Sequence, residues 1–145
     1  MESVQEAWRI DSIVEAADEL HTYFMEVVGG YKESEISEEK RQEMFTNMVT
    51  SYLPAWLTAI ERRLLGNSTN FNKDLHGMYI VGEKMTIADI AMANVIFSIF
   101  YNEGAKQHDT LRRIYETFPT LHRYADTLRV RFLDYLDVRP KNLPF

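Results

Sequence analysis

The chain has 145 residues, 46% of them hydrophobic and 26% charged, with a formal net charge of −6. That length and balance fit a single domain able to bury a core of its own. The absence of cysteine excludes disulfides, thiolate metal sites and a cysteine nucleophile, and it fits a reducing, cytoplasmic compartment.

Ile10, Ile13, Ala17, Leu20, Phe24 and Val27 recur at alternating spacings of three and four, which predicts a first helix from Val4 to Val28. Gly29-Gly30 stops it, and residues 31–36 form a short polar connection. Ser37 is placed to cap a second long helix reaching Leu65, with Gly66-Asn67 as its end. Its apolar residues come in adjacent pairs, among them Met48 and Val49, Tyr52 and Leu53, and Trp56 and Leu57, so a broad face is buried. Pro54 interrupts that helix. An interior proline costs about 3 kcal/mol, so two helices meeting at a bend are expected there.

The polar stretch 67–74 is loop-like, and Tyr79-Ile-Val-Gly82 is extended. Thr86 then has the chemistry of an N-cap, with Asp89 three residues on to return the bond to the Thr86 backbone. Met85 and Ile90 are positioned to close a hydrophobic staple over this turn, and Gly82 lets the chain reverse before it. Residues 90–101 are apolar almost all round, so a central core helix follows, to about Asn102. Gly104 separates it from a helix at His108–Thr117. Pro119 suits the first turn of the next, and a last short helix ends near Val138, before Arg139-Pro140. No run is long and apolar enough to span a membrane. With no strand hairpin or βαβ alternation, the fold class is all-α, a single-domain helical bundle over residues 1–145.

The order of these features resembles the C-terminal helical domain of cytosolic glutathione transferases. The residues that carry the resemblance are Asp11 to Leu20, Tyr79 to Ile90 with its Gly82, Thr86 and Asp89, Phe118-Pro-Thr-Leu121, and Tyr135 to Pro140. The sigma class looks nearest, mainly through the Arg139-Pro140 ending. The resemblance implies a domain that shapes a hydrophobic substrate pocket and dimer contacts, while a thioredoxin-like domain activates the glutathione thiol. Nothing in these 145 residues is similar to that second domain, so the chain alone is not expected to be catalytic. It needs no cofactor by itself, and glutathione only when paired. Its partners are a thioredoxin-like domain or another subunit, with a homodimer possible.

The first 40 residues hold eleven acids against three basic residues. Asp11, Glu15, Asp18, Glu19 and Glu26 share the face of the first helix opposite its apolar stripe, and the plain reading is a solvated surface. The resemblance adds that Glu19 reaches glutathione across a dimer, and that Glu15, Asp18 and Glu19 hold a divalent ion against a second subunit. A carboxylate cluster suits magnesium or calcium. His21 can line the substrate pocket on the same analogy, against the plain reading of a half-exposed histidine. Trp8, Trp56 and most tyrosines fit core positions. Arg112, Arg113, Arg123, Arg129, Arg131, Arg139 and Lys141 are scattered among apolar residues, so neither nucleic acid nor an anionic membrane is an expected partner. The competing reading is a non-catalytic assembly module that keeps the transferase fold.

Overall fold

The computed structural model describes residues 3–28, 35–67 and 78–140, all of it helix, turn or loop. Helix α1 spans Val4–Val28 and buries the stripe Ile10, Ile13, Ala17, Leu20, Phe24 and Val27, as the spacing requires. Helix α2 spans Glu38–Asn47. The Ser37 side chain accepts a hydrogen bond from the Lys40 amide at 3.2 Å, and no α2 residue is fully buried. Gly29-Gly30, residues 31–34 and most of the polar loop lie outside the described residues.

Pro54 is accommodated by a change of helical register. A π-helical turn, Met48–Tyr52, joins α2 directly to α3, Leu53–Gly66, and Pro54 falls in the first turn of α3. Leu53 donates to the Met48 carbonyl, one residue further back than an α-helix would use. The wider turn shifts the carbonyl that the proline ring would strike and removes the need for its missing N–H. Along α3, Leu53, Leu57, Ile60 and Leu64 are buried, so one member of each adjacent pair reaches the core while Tyr52 and Trp56 are half-buried. The Trp56 indole donates to the Ala16 carbonyl at 3.1 Å, and Arg63 Nη1 donates to Ser12 Oγ at 2.7 Å. Contacts that advance along α3 retreat along α1, so the two helices are antiparallel.

Helix α4, Ile87–Val95, runs into a second π-helical turn, Ile96–Phe100. It is the centre of the molecule: Ala88, Met92, Ala93, Val95, Ile96, Phe97, Ile99 and Phe100 are all buried, and α1 packs along it. Helices α5, His108–Glu116, and α6, Pro119–Arg131, close over it. Buried Leu111, Tyr115, Leu121, Tyr124, Ala125 and Leu128 extend the same core, at roughly 1.5–3 kcal/mol for each large apolar side chain removed from water. Helix α7, Leu133–Val138, has no buried residue and leans on α6. One expectation fails here: Trp8 is 67% exposed rather than in the core. Ile90, the expected staple partner of Met85, is half exposed.

Candidate functional site

Two polar constellations stand at opposite ends of α4. At its start, Thr86 Oγ1 accepts from the Ala88 amide at 3.2 Å, and Asp89 Oδ2 accepts from the Thr86 amide at 2.9 Å and its hydroxyl at 3.3 Å. The capping box predicted from the sequence is therefore present. Its acid does more than cap. Asp89 is fully buried, and Oδ1 accepts from the Ile80 amide at 3.0 Å and from the Tyr124 hydroxyl at 2.7 Å. One carboxylate thus ties the approach loop, the start of α4 and the middle of α6 together. Burial, then the Asp89 charge and hydrogen bond, pushes the Tyr124 hydroxyl well above its ordinary ionisation range, so it stays a donor.

The approach loop is set by Gly82 and Asn67. Gly82 has φ +66°, the left-handed region that glycine enters without penalty. The Asn67 side chain donates to the Tyr79 carbonyl at 3.0 Å and to the Gly82 carbonyl at 2.9 Å, so the residue after α3 fixes the bend before α4. A Cβ on Gly82 would stand 2.6 Å from Glu6 Oε1, which places the beginning of α1 beside this bend. This end is built to hold the fold.

The acids of α1 are where the periodicity places them. Asp11, Glu15, Asp18, Glu19 and Glu26 are exposed opposite the buried stripe. Glu19 lies near the π-helical turn before α3. Burial first, and then the Glu19 charge, raises the Tyr52 hydroxyl above its ordinary value. The Tyr52 ring packs against Tyr23 at 4.7 Å, and its hydroxyl is buried without a hydrogen-bond partner among the described residues. His21 is half-buried on α1. Among the described residues no group of three or more His, Asp or Glu is placed to hold a metal ion.

At the far end of α4, Tyr101 terminates the π-helical turn and donates its amide to the Ile96 carbonyl at 3.1 Å. Its ring is flanked by the guanidinium groups of Arg112, at 5.4 Å, and Arg129, at 5.0 Å from the centroid. It also meets Tyr115 edge-on at 5.5 Å. Arg112 Nε donates to Glu116 at 2.8 Å, a bond that holds the Glu116 carboxyl below its usual range. Arg129 Nη1 donates to Asp126 at 3.0 Å. No sequence pattern announces this gathering, because the two arginines stand on different helices, α5 and α6, and each has the spacing of a surface residue.

No membrane-spanning candidate occurs among the described helices. Comparison with curated proteins and with solved structures gives no match. A family model described as "Glutathione S-transferase, C-terminal domain" matches residues 18–132, which includes the Asp89 box and the helices around it. The all-α fold and this match over most of the chain place it in the glutathione S-transferase C-terminal domain family.

Proposed function

We propose that this chain supplies the helical half of a sigma-like glutathione transferase: it shapes the hydrophobic substrate pocket and the dimer contacts, while a thioredoxin-like domain activates glutathione. The observation that carries the reading is the family match over residues 18–132. It is supported by an acid-lined, solvent-facing α1 whose carboxylates have no role in the core. In this reading Glu19 accepts from the glutathione amine of a second subunit, and His21 borders the substrate. The setting is cytoplasmic, where glutathione is abundant and the cysteine-free chain is at no disadvantage.

The test joins the full chain to the thioredoxin-like domain of a sigma-class transferase, as a fusion and as separate polypeptides, and measures conjugation of glutathione to an electrophilic nitroarene. Turnover is expected, and Glu19→Gln should raise KM for glutathione more than it lowers kcat. A folded pair with no turnover counts against the enzyme. A second reading, a non-catalytic assembly module, draws on Trp8 and Ile87, apolar side chains 67% and 62% exposed near the starts of α1 and α4. Large apolar groups left in water often mark docking surfaces. Stable capture of one protein partner by the inactive pair, lost on Trp8→Ala, favours that alternative.

A further inference from the structure

A cleft of about 340 Å³ opens between the π-helical end of α4, the start of α5, the end of α6 and α7. No α1 residue lines it, so it is separate from the acidic face and from His21. Its wall holds Tyr101, His108, Arg112, Arg129 and Arg139, with Glu103 and Asp137 as the opposing charges. Three arginines meet two acids within the wall, and the carboxylates of Glu116 and Asp126 just outside it bring the acids to four, so the cleft offers guanidinium donors rather than net positive charge. Glu116 and Asp126 each engage one arginine from outside it, through a single guanidinium nitrogen, and Arg139 Nη2 donates to the Phe97 carbonyl at 3.0 Å. A guanidinium carries five N–H donors, so each retains others.

Two further polar atoms in this wall are buried and have no hydrogen-bond partner among the described residues: the Tyr101 hydroxyl and His108 Nε2. His108 Nδ1 lies 3.5 Å from Asp109, which leaves Nε2 as its inward nitrogen. A polar atom buried without a partner costs about 1–3 kcal/mol, and such costs persist where a bound molecule relieves them. Burial raises the Tyr101 hydroxyl, most strongly, and Glu116 adds to the effect, so at neutral pH it is a proton donor in need of an acceptor. The guanidinium groups beside it are likewise donors only.

We propose that this cleft binds a small oxyanion, a carboxylate or a phosphate, on the guanidinium groups of Arg112 and Arg129, with the buried Tyr101 hydroxyl donating once the side chains over it shift. The site does not depend on the transferase reading, since it uses neither Glu19 nor a second domain. The experiment titrates the full chain with sodium phosphate and, separately, sodium benzoate at constant ionic strength, following backbone amide resonances of residues 101–108 by NMR. Saturable shifts with either probe are expected, and the probe that responds identifies the ligand class. Arg112→Gln and Arg129→Gln should each weaken binding about tenfold or more, as the loss of a charge-assisted hydrogen bond requires. Tyr101→Phe, which keeps the fold and both arginines, should weaken it several-fold. No saturable response to either probe overturns the proposal. So do shifts that persist unchanged in Tyr101→Phe and Arg112→Gln, which would mark ion binding elsewhere.

Discussion

The two ends of α4 treat buried polar groups in opposite ways. At its start, Asp89 receives four hydrogen bonds within one carboxylate, from the Ile80 amide, the Thr86 amide and hydroxyl, and Tyr124. At its other end, the Tyr101 hydroxyl and His108 Nε2 are buried with no hydrogen-bond partner among the described residues. Both tyrosines are aromatic neighbours of the same core, yet Tyr124 has its acceptor and Tyr101 has none. The difference separates a constellation whose bonding capacity is consumed by folding from one that holds capacity in reserve. A satisfied buried network rigidifies a fold, whereas an unsatisfied one lowers its stability and can be relieved by a ligand.

The sharpest way to break the comparison is Asp89→Ala. It strips acceptors from a buried amide and a buried hydroxyl at once, and the loss should be about 3–5 kcal/mol, read as a lower urea midpoint by circular dichroism. Against a total stability of roughly 5–15 kcal/mol that is close to unfolding. A loss under about 1 kcal/mol would mean that Asp89 acts as a cap alone. Tyr124→Phe removes one of its four bonds and should cost about 1.5–3 kcal/mol in the same measurement.

Tyr124 and Tyr115 are expected to contribute most to the loss of stability at alkaline pH. Burial raises both hydroxyls well above the ordinary tyrosine value of 10.0, and the Tyr115 hydroxyl donates to the Leu121 carbonyl at 2.7 Å. Because the folded state holds these protons more tightly than the unfolded chain, their contribution is fully present below pH 10.0 and is lost as pH rises toward the folded values. The urea midpoint should therefore fall above that pH, and less steeply in Tyr124→Phe. An equal fall in both proteins would assign the alkaline limit to other groups. Thr86→Ala comes next in size, at about 1 kcal/mol, through the lost cap.

How much of this was legible in the sequence follows the range of each interaction. The bounds of α1 could be read because a stripe at helical spacing is a local property, and Thr86 with Asp89 could be read because three residues separate them. The reach of Asp89 to Tyr124, 35 residues away, could not be read, since nothing local distinguishes Tyr124 from any other core tyrosine. Pro54 announced a disruption correctly, but the π-helical turn before it could not be read, since the proline's steric demand does not specify the register of the preceding turn. Trp8 misled because an aromatic at helical spacing fits a core stripe or a docking face equally well. The Tyr101 cleft was hidden for the reason that the arginines looked dispersed: α5, α6 and α7 bring together residues that share no pattern along the chain.

The smallest expected effect is the most discriminating. Tyr101→Phe deletes a hydroxyl that has no partner, so it should leave stability unchanged or raise it by up to about 1 kcal/mol. The matched change at Tyr124 lowers it. Both substitutions remove a hydroxyl and keep the ring, Tyr124 within the buried cluster and Tyr101 packed against it, so neither leaves a large cavity. The main difference is the state of the hydroxyl. Opposite signs in paired thermal melts would therefore establish that one end of α4 is complete and the other is not. If Tyr101→Phe destabilises the ligand-free chain as much as Tyr124→Phe does, its hydroxyl has an acceptor in solution, and the capacity held in reserve at that end is already used.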